Sequence, residues 1–305
     1  MKLANTTSVF CRVCPTDEER VKALFDCGFR YIDLSLYDGA KPDWIYLADD
    51  WKERVAALAA YGKALGVTFV QSHAPGGNPL HKSEEKVDLL LRVTARSLEI
   101  CQMLGIKNCV YHAGWETGIE KKDYFARNRK FVEALIPTME KTGVNLCVEN
   151  STKANMRDMY YFFEGADMAE FIDWIGHPLL KACWDTGHAN IEGHQYPDIV
   201  ALGDRLTALH INDNLGEKDQ HINPYCGTMS VDEVMHGLLD SGFNGYFTFE
   251  ADSEVKMNTN WLHKRRAYEP DARALNPDLS IYKKMTEVTY AVGEYILTQY
   301  NCLER

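Results

Sequence analysis

Four residues that can bind a metal or move a proton stand at the ends of four successive β-rich segments. The segments read NLCVE, LKACWD, LTALH and YFTFE, and they end at Glu149, Asp185, His210 and Glu250. Carboxylates around one imidazole suit a hard or borderline divalent cation such as Mn²⁺, Mg²⁺, Co²⁺ or Zn²⁺. Without a cation, such carboxylates would repel one another and lose their hydration. The four matching positions therefore predict a divalent-metal site.

A second set of polar residues falls at the ends of other segments or in the loops that follow them. The members are His73, His112, His188, Asp219 and His221. His188 comes three residues after Asp185, and the D-x-H spacing of Asp219 and His221 can direct both side chains at one ion. These residues are predicted to be additional metal ligands or substrate contacts.

These positions imply a closed parallel sheet. Polar groups at the carboxyl ends of successive strands meet at one point only in a barrel, and (β/α)8 enzymes keep their chemistry at that face. Strand, loop and helix recur about every 35 to 40 residues, as repeated βα units require. Glycines that resemble helix stops precede most of the strands, at Gly28, Gly66, Gly105, Gly143 and Gly245. The sequence predicts an α/β protein whose single (β/α)8 domain spans residues 1–305.

The predicted elements can be placed along the chain. Strand one lies in the first ten residues, three strands follow at 31–35, 68–73 and 108–112, and four more end at or near residues 149, 185, 210 and 250. Helices are predicted at about 17–27, 49–65, 83–104, 123–142 and 279–300. Alternation along the later strands places the small residues Cys147, Cys183, Ala208 and Thr248 inside the barrel. Their larger neighbours Val148, Trp184, Leu209 and Phe249 should then pack against helices.

Composition narrows the class of partner. The formal net charge of -11 and the pI near 5.4 make nucleic acid an unlikely partner and disfavour anionic membranes. Nine cysteines, an odd number, indicate reduced and buried thiols in a cytoplasmic protein. The first residues lack the apolar region of a secretion signal, and no apolar run approaches the ~18 residues of a membrane span.

Seven motifs, in order, resemble the xylose-isomerase-like TIM-barrel superfamily. They read HAPGGNP, YHAG, VENS, WDTGHAN, HINDN, DQH and TFE, and the resemblance covers about residues 28 to 252. The superfamily includes sugar isomerases and epimerases, inositol-catabolism enzymes and endonuclease IV. Its ketose 3-epimerases imply one metal at Glu149, Asp185, His210 and Glu250, with Glu149 and Glu250 as the proton-transfer pair. They also carry an arginine six residues after the strand-seven histidine, where this chain has Gly216.

Endonuclease IV implies a larger ligand set. The resemblance assigns the four strand-end residues and all five of the second set to its trinuclear zinc site. That family has a tyrosine three residues after the strand-three histidine, used against distorted DNA, and this chain has Gly76 there. The chain is also acidic, whereas a DNA enzyme needs a cationic face for phosphates. Both features argue against DNA cleavage.

Two loops could contact a substrate. Trp115 and Glu116 follow the YHAG motif, where an indole could stack on a sugar face or simply pack within its loop. A long connection at about 253–278 contains Lys264, Arg265 and Arg266. It could cover the mouth of the barrel, supply a phosphate contact, contact another subunit or remain a solvated basic turn.

The combined prediction is a divalent-metal-dependent isomerase or epimerase of a small sugar, sugar phosphate or polyol-derived ketone, acting by proton transfer next to a carbonyl. One tightly held ion is expected, because that chemistry needs only one. The alternatives are an endonuclease IV-like zinc phosphodiester hydrolase acting on abasic DNA, and a non-catalytic sugar- or metal-binding barrel. The expected partner is a small carbohydrate, and a homo-oligomer stays open.

Overall fold

Eight parallel strands form a barrel in the computed structural model, which describes residues 1–253, 255 and 277–304. The strands are β1 (Lys2–Thr6), β2 (Tyr31–Ser35), β3 (Thr68–His73), β4 (Asn108–Tyr111), β5 (Asn145–Glu149), β6 (Leu180–Asp185), β7 (Leu206–His210) and β8 (Tyr246–Phe249). Consecutive strands pair from β1 to β7, and β8 pairs with β1. Between β7 and β8 the ladder is reduced to an isolated bridge that joins Ile211 and Phe249. The predicted (β/α)8 barrel is confirmed.

Helices cover the outside of the sheet. They are α1 (Asp17–Asp26), α2 (Trp51–Leu65), α3 (Glu84–Leu104), α4 (Lys121–Thr142), α5 (Lys153–Met156), α6 (Gly165–Ile175), α7 (Thr186–Glu192), α8 (Tyr196–Leu202), α9 (Val231–Asp240) and α10 (Leu279–Gln299). Gly66, Gly105 and Gly143 adopt the left-handed conformation directly after α2, α3 and α4, as the predicted helix stops require. The ends of the five predicted helices lie within two residues of these bounds.

Gly245 does not have the predicted role of a helix stop. The backbone turns left-handed at Gly242 instead, directly after the last turn of α9. A Cβ atom at position 245 would lie 2.7 Å from a ring carbon of Phe243. A side chain at position 245 would therefore have to displace the Phe243 ring, which packs against the backbone there.

The buried side chains divide into two layers, as the alternation predicted. Inside the barrel, Val110, Cys147, Cys183 and Ala208 form a small cluster of their own. Val148, Trp184, Leu209 and Phe249 belong to the large core between the sheet and the helices. Small side chains inside the barrel leave room above them for the polar groups at the strand ends.

Two predicted strands are one residue too long. The β4–β5 ladder ends at the pair of Tyr111 and Val148, so His112 lies in the loop that follows. The paired segment of β8 likewise ends at Phe249, and Glu250 is the next residue. Both side chains are therefore carried by the first loop residue rather than by the strand.

Several other predictions concern the whole chain. No cysteine in the described residues forms a disulfide, but Cys11 and Cys226 are exposed rather than buried. Among the described helices, none has both the length and the apolar character needed to cross a membrane. The predicted connection at about 253–278, with Lys264, Arg265 and Arg266, lies almost entirely outside the described residues.

Candidate metal centre

A cavity of about 430 Å³ opens at the carboxyl end of the barrel. This volume is within the range of small-molecule sites. Of the residues singled out in the sequence, those lining it are His73, His112, Trp115, Glu149, His188, Asp219, His221 and Glu250. Asp185 and His210 are fully buried next to these lining residues.

The four strand-end residues come together as one central group. One donor atom from each of Glu149, Asp185, His210 and Glu250 lies within 4.8 Å of the others. The Nδ1 atom of His210 is 2.8 Å from Oε1 of Glu149 and 3.4 Å from Oε2 of Glu250. Three carboxylates and an imidazole at this spacing fit a divalent cation with oxygen and nitrogen ligands.

The motifs around Asp185 hold its carboxylate in place. Asp185 is both the last residue of β6 and the N-cap of α7, so its Oδ1 accepts a 2.6 Å hydrogen bond from the backbone N–H of His188. Asn212 donates to its Oδ2 at 2.7 Å, and Asn150 accepts from its backbone N–H at 2.6 Å. A Cβ atom at position 187 would lie 1.8 Å from Oδ1 of Asn212, so only glycine fits at the fourth position of the WDTGH motif. Asn150 and Asn212 belong to the VENS and HINDN motifs, but no role was predicted for them from the sequence.

The five residues of the second set form two outer groups. His112 and His73 place Nε2 at 2.8 and 3.4 Å from Oε2 of Glu149, the oxygen that faces away from His210. In the second outer group, Oδ2 of Asp219 lies 3.1 Å from Nε2 of His188, and its Oδ1 lies 3.0 Å from Nε2 of His221. The structure thus brings all nine predicted metal or substrate residues to one cavity and its floor.

Three histidines of the outer groups are oriented by backbone carbonyls. The Nδ1 atoms of His73, His188 and His221 lie 2.7, 3.0 and 2.9 Å from the carbonyl oxygens of Ala74, Asn150 and Glu250. A carbonyl can only accept, so each Nδ1 carries the proton. Ligating histidines are usually oriented in this way, and the arrangement directs each Nε2 towards the centre of the site.

Burial and neighbouring charge separate the two glutamates of the central group. Burial would raise the pKa of Glu149, but His210 and His112 hold this pKa well below its usual range. Burial raises the pKa of Glu250 to about 7, against the opposing effects of His210 and His221. At neutral pH, Glu149 is therefore ionised while Glu250 is close to its midpoint.

Metal uptake should release protons from this site. Burial would lower the pKa of His188, but Asp185 and Asp219 raise it to about 10. With the pKa of Glu250 near 7, His188 is protonated and Glu250 about half protonated at neutral pH, and each must lose its proton when it binds a metal. The apparent affinity for Mn²⁺ should therefore rise as the pH increases from about 6, by up to about tenfold per pH unit for each ligand that is still protonated, and the contribution of Glu250 should level off above about pH 7. Calorimetry in buffers of different ionisation enthalpy measures this release, and a pH-independent affinity would contradict it.

The two loop residues predicted to contact substrate have different positions. Trp115 lines the cavity, and the Asn78 side chain holds its backbone N–H and carbonyl at 2.9 and 2.8 Å. The Glu116 carboxylate instead forms an ion pair with Arg127, and Glu116 is not among the lining residues. The structure therefore brings only the tryptophan to the site.

Tyr37 is a cavity residue that the sequence did not reveal. Its ring lies edge-on to His73, with centroids 5.2 Å apart. A Cβ atom at Gly76 would lie 2.6 Å from a ring carbon of Tyr37, and the Gly76 N–H donates to the Tyr37 carbonyl at 2.9 Å. The aromatic surface near position 76 therefore comes from the loop after β2, which carries no recognisable motif.

The sequence matches a family model described as a xylose isomerase-like TIM barrel, over residues 21–277. Among curated proteins, it is 42% identical over 77 residues to a fructoselysine 3-epimerase of Escherichia coli O157:H7, which is 25% of this chain and 27% of that protein. An uncharacterised protein of Sinorhizobium fredii is 27% identical over 127 residues, or 41% of this chain and 39% of that protein. The chain thus spans less than half the length of these two relatives.

Solved structures share the fold over nearly the whole chain. A D-psicose 3-epimerase with D-tagatose, from Clostridium cellulolyticum H10, has a TM-score of 0.75 and 18% identity, covering 97% of this chain and 99% of that one. A 3-keto-D-glucoside 4-epimerase of E. coli has a TM-score of 0.70 and 16% identity, covering 95% and 99%. Identities this low show a common barrel rather than a common reaction.

Proposed function

Since the chain belongs to the xylose isomerase-like TIM-barrel family, we propose that it is a divalent-metal-dependent epimerase or isomerase of a small sugar-like ketone. The observation that carries the proposal is the carboxylate pair Glu149 and Glu250. Both flank His210 in a cavity of small-molecule size, and their pKa values are shifted in opposite directions. The name of one curated relative, a fructoselysine 3-epimerase, supports the same reaction class.

The reaction requires two proton transfers at a carbon next to a carbonyl. An ionised carboxylate removes the proton, and a second group that is protonated near neutral pH returns one. Two carboxyl groups whose environments separate their pKa values suit these roles. We assign Glu149 as the base and Glu250 as the acid in one direction of the reaction, with the roles exchanged in reverse.

The same residues fit the metal. Glu149, Asp185, His210 and Glu250 would hold it, and the ion supplies positive charge that stabilises the negative charge on the substrate oxygen as the proton leaves. Around this group, the outer histidines line the cavity with their Nε2 atoms in contact with Glu149 or Asp219, so a substrate hydroxyl would bind beside these pairs. Trp115 adds an apolar wall on which a sugar face can pack.

Deuterium exchange tests the reaction class without a known substrate. We expect the Mn²⁺-loaded protein, in D₂O, to place deuterium on the carbon next to the carbonyl of at least one compound in a panel. The panel contains ketoses, ketose phosphates, inosose-like compounds and, because of the E. coli relative, fructoselysine. Protein stripped of metal by a chelator is the control. No exchange across the panel by metal-loaded protein would count against the proposal.

One observation favours a second candidate, a metal-cluster phosphodiester hydrolase. Two outer groups of donor atoms flank the central group, and such a set could hold several ions that activate water. Abasic duplex DNA therefore accompanies the panel, and robust cleavage without exchange would select this candidate. Binding of metal and sugar with neither activity would identify a non-catalytic barrel.

The absence of disulfides among the described residues supports our further proposal that the enzyme works in the cytoplasm.

A further inference from the structure

A carboxylate that belongs to neither the central group nor the outer groups lies next to His210. Asp33, on β2, is completely buried, and its Oδ2 lies 3.7 Å from Nε2 of His210, which is also completely buried. Gln71 donates to the same Oδ2 at 3.4 Å, a long hydrogen bond. Asp33 thus meets His210 from the side opposite to Glu149.

Both facing groups are incompletely satisfied. Among the residues that the structure describes, Oδ1 of Asp33 and Nε2 of His210 have no hydrogen-bond partner. The oxygen of Asp33 nearest to Nε2 is Oδ2, which accepts only the long bond from Gln71, and a buried N–H without a partner is costly, so Nε2–H should bond to this carboxylate. A shift of less than 1 Å would bring His210 Nε2–H into a charge-assisted hydrogen bond with the carboxylate, for which N···O distances are about 2.7–2.9 Å.

Cys183 is another ionisable group close to His210. Burial raises the pKa of its thiol well above the ordinary value, so the sulfur stays neutral. A neutral sulfur is a weak acceptor, whereas a carboxylate is a strong one. Asp33 is therefore the better partner for Nε2–H.

The opposite face of the ring determines what this hydrogen bond achieves. The Nδ1 atom of His210 faces two carboxylate oxygens, at 2.8 Å for Glu149 and 3.4 Å for Glu250. Ionised carboxylates can only accept hydrogen bonds. If Nε2 keeps its proton, the Nδ1 lone pair lies among negative oxygens, and only a proton or a metal cation can occupy the space between them.

We propose that Asp33 is a positioning residue that keeps Nε2 of His210 protonated and thereby presents Nδ1 as a metal ligand. The inference rests on the metal centre proposed above. Asp33 itself touches neither ion nor substrate in this arrangement. Its role is that of the carboxylates that orient ligating histidines from behind, whose loss typically costs about 10–100-fold in metal affinity.

Two variants and one control test this role. Asp33→Asn keeps the shape but removes the charge, and Asp33→Leu removes the acceptor as well. We expect Mn²⁺ affinity to fall about 10–100-fold in the first variant and further in the second. Asp198→Asn is the matched control, because Asp198 is also a buried carboxylate but bonds the Gly165 N–H and does not line the cavity. It should bind Mn²⁺ as the wild type does.

The protonation state of His210 provides a readout that a purely structural role would not move. In ¹⁵N-histidine-labelled protein, with and without Zn²⁺, the wild type should show a protected Nε2–H signal that is lost in His210→Gln. Asp33→Asn should shift this signal, whereas Cys183→Ser should leave it in place. Circular dichroism and thermal unfolding establish that each variant is folded.

Three results would overturn the inference. They are a wild-type His210 without a proton on Nε2, wild-type Mn²⁺ affinity in folded Asp33→Asn, and a signal that responds to Cys183→Ser instead. The spectrum of the metal-free protein makes the test independent of the centre itself. If the wild type bound no divalent ion, the proposed function would fail, while the Nε2–H signal would still decide the role of Asp33.

Discussion

Replacing Glu250 by glutamine should nearly abolish deuterium exchange at the substrate carbon next to the carbonyl. An amide can neither accept that proton nor return it, and positioned acid–base groups contribute about 10²–10⁴-fold to such steps. The side chain lies 3.4 Å from His210 and has a pKa of about 7, so in the wild type it can do both near neutral pH. The exchange rate, measured by NMR or mass spectrometry on the panel compound that reacts, gives the size of the loss.

Glu116→Gln is the matched control for this substitution. It makes the same chemical change in a glutamate that pairs with Arg127 and does not line the cavity, so exchange should persist. Because Glu250 also belongs to the central group, the bound metal must be counted in both variants. Exchange at the wild-type rate in metal-loaded Glu250→Gln would remove this residue from the mechanism.

Asp185→Ala should strip the metal and leave a folded barrel. Asp185 is fully buried, and its carboxylate is held by two hydrogen bonds, one to each oxygen, from the His188 N–H and the Asn212 side chain. Loss of a ligand should exceed the upper end, about 100-fold, of what changes behind a ligand cost. The variant also loses the N-cap of α7, which costs about 0.5–2 kcal/mol of stability.

Elemental analysis of purified protein measures this effect and the number of ions together. We expect one tightly bound ion per wild-type chain and none in Asp185→Ala. Thermal unfolding of both metal-free proteins separates loss of ligand from loss of fold. Normal metal content in the variant would place the ion elsewhere, and three zinc ions per wild-type chain would favour the hydrolase.

The residues at the strand ends could be predicted because two regular patterns coincide there. Alternation fixes which side chains of β5, β6 and β7 point inwards, and a barrel brings the ends of its strands together. Glu149, Asp185 and His210 follow from these two rules alone. Their donor atoms lie within 4.8 Å of one another, as the closure of the barrel requires.

The sequence analysis predicted no helix at α6 or α9, although these have 11 and 10 residues, and its other misses concern loops and short elements. Helices α5, α7 and α8 have only four, seven and seven residues, too few to show a helical period. The position of Tyr37 depends on the path of its loop and on contact with Gly76, which is distant in sequence. Glu116 was placed by its nearness to a motif, but its pairing with Arg127, eleven residues further along, decides where it points.

The sparse pairing between β7 and β8 gives the central group a second role, in holding the barrel closed. The backbone bonds there reduce to those of Ile211, which donates to Thr248 at 2.8 Å and accepts from Glu250 at 3.0 Å. His210 and Glu250 stand on the two sides of this junction. An ion held by both would cross-link β7 and β8, the strand pair that is joined only by an isolated bridge. Metal binding would then also stabilise the closed barrel against opening at this edge, because a ligand that binds only the closed form stabilises it by mass action.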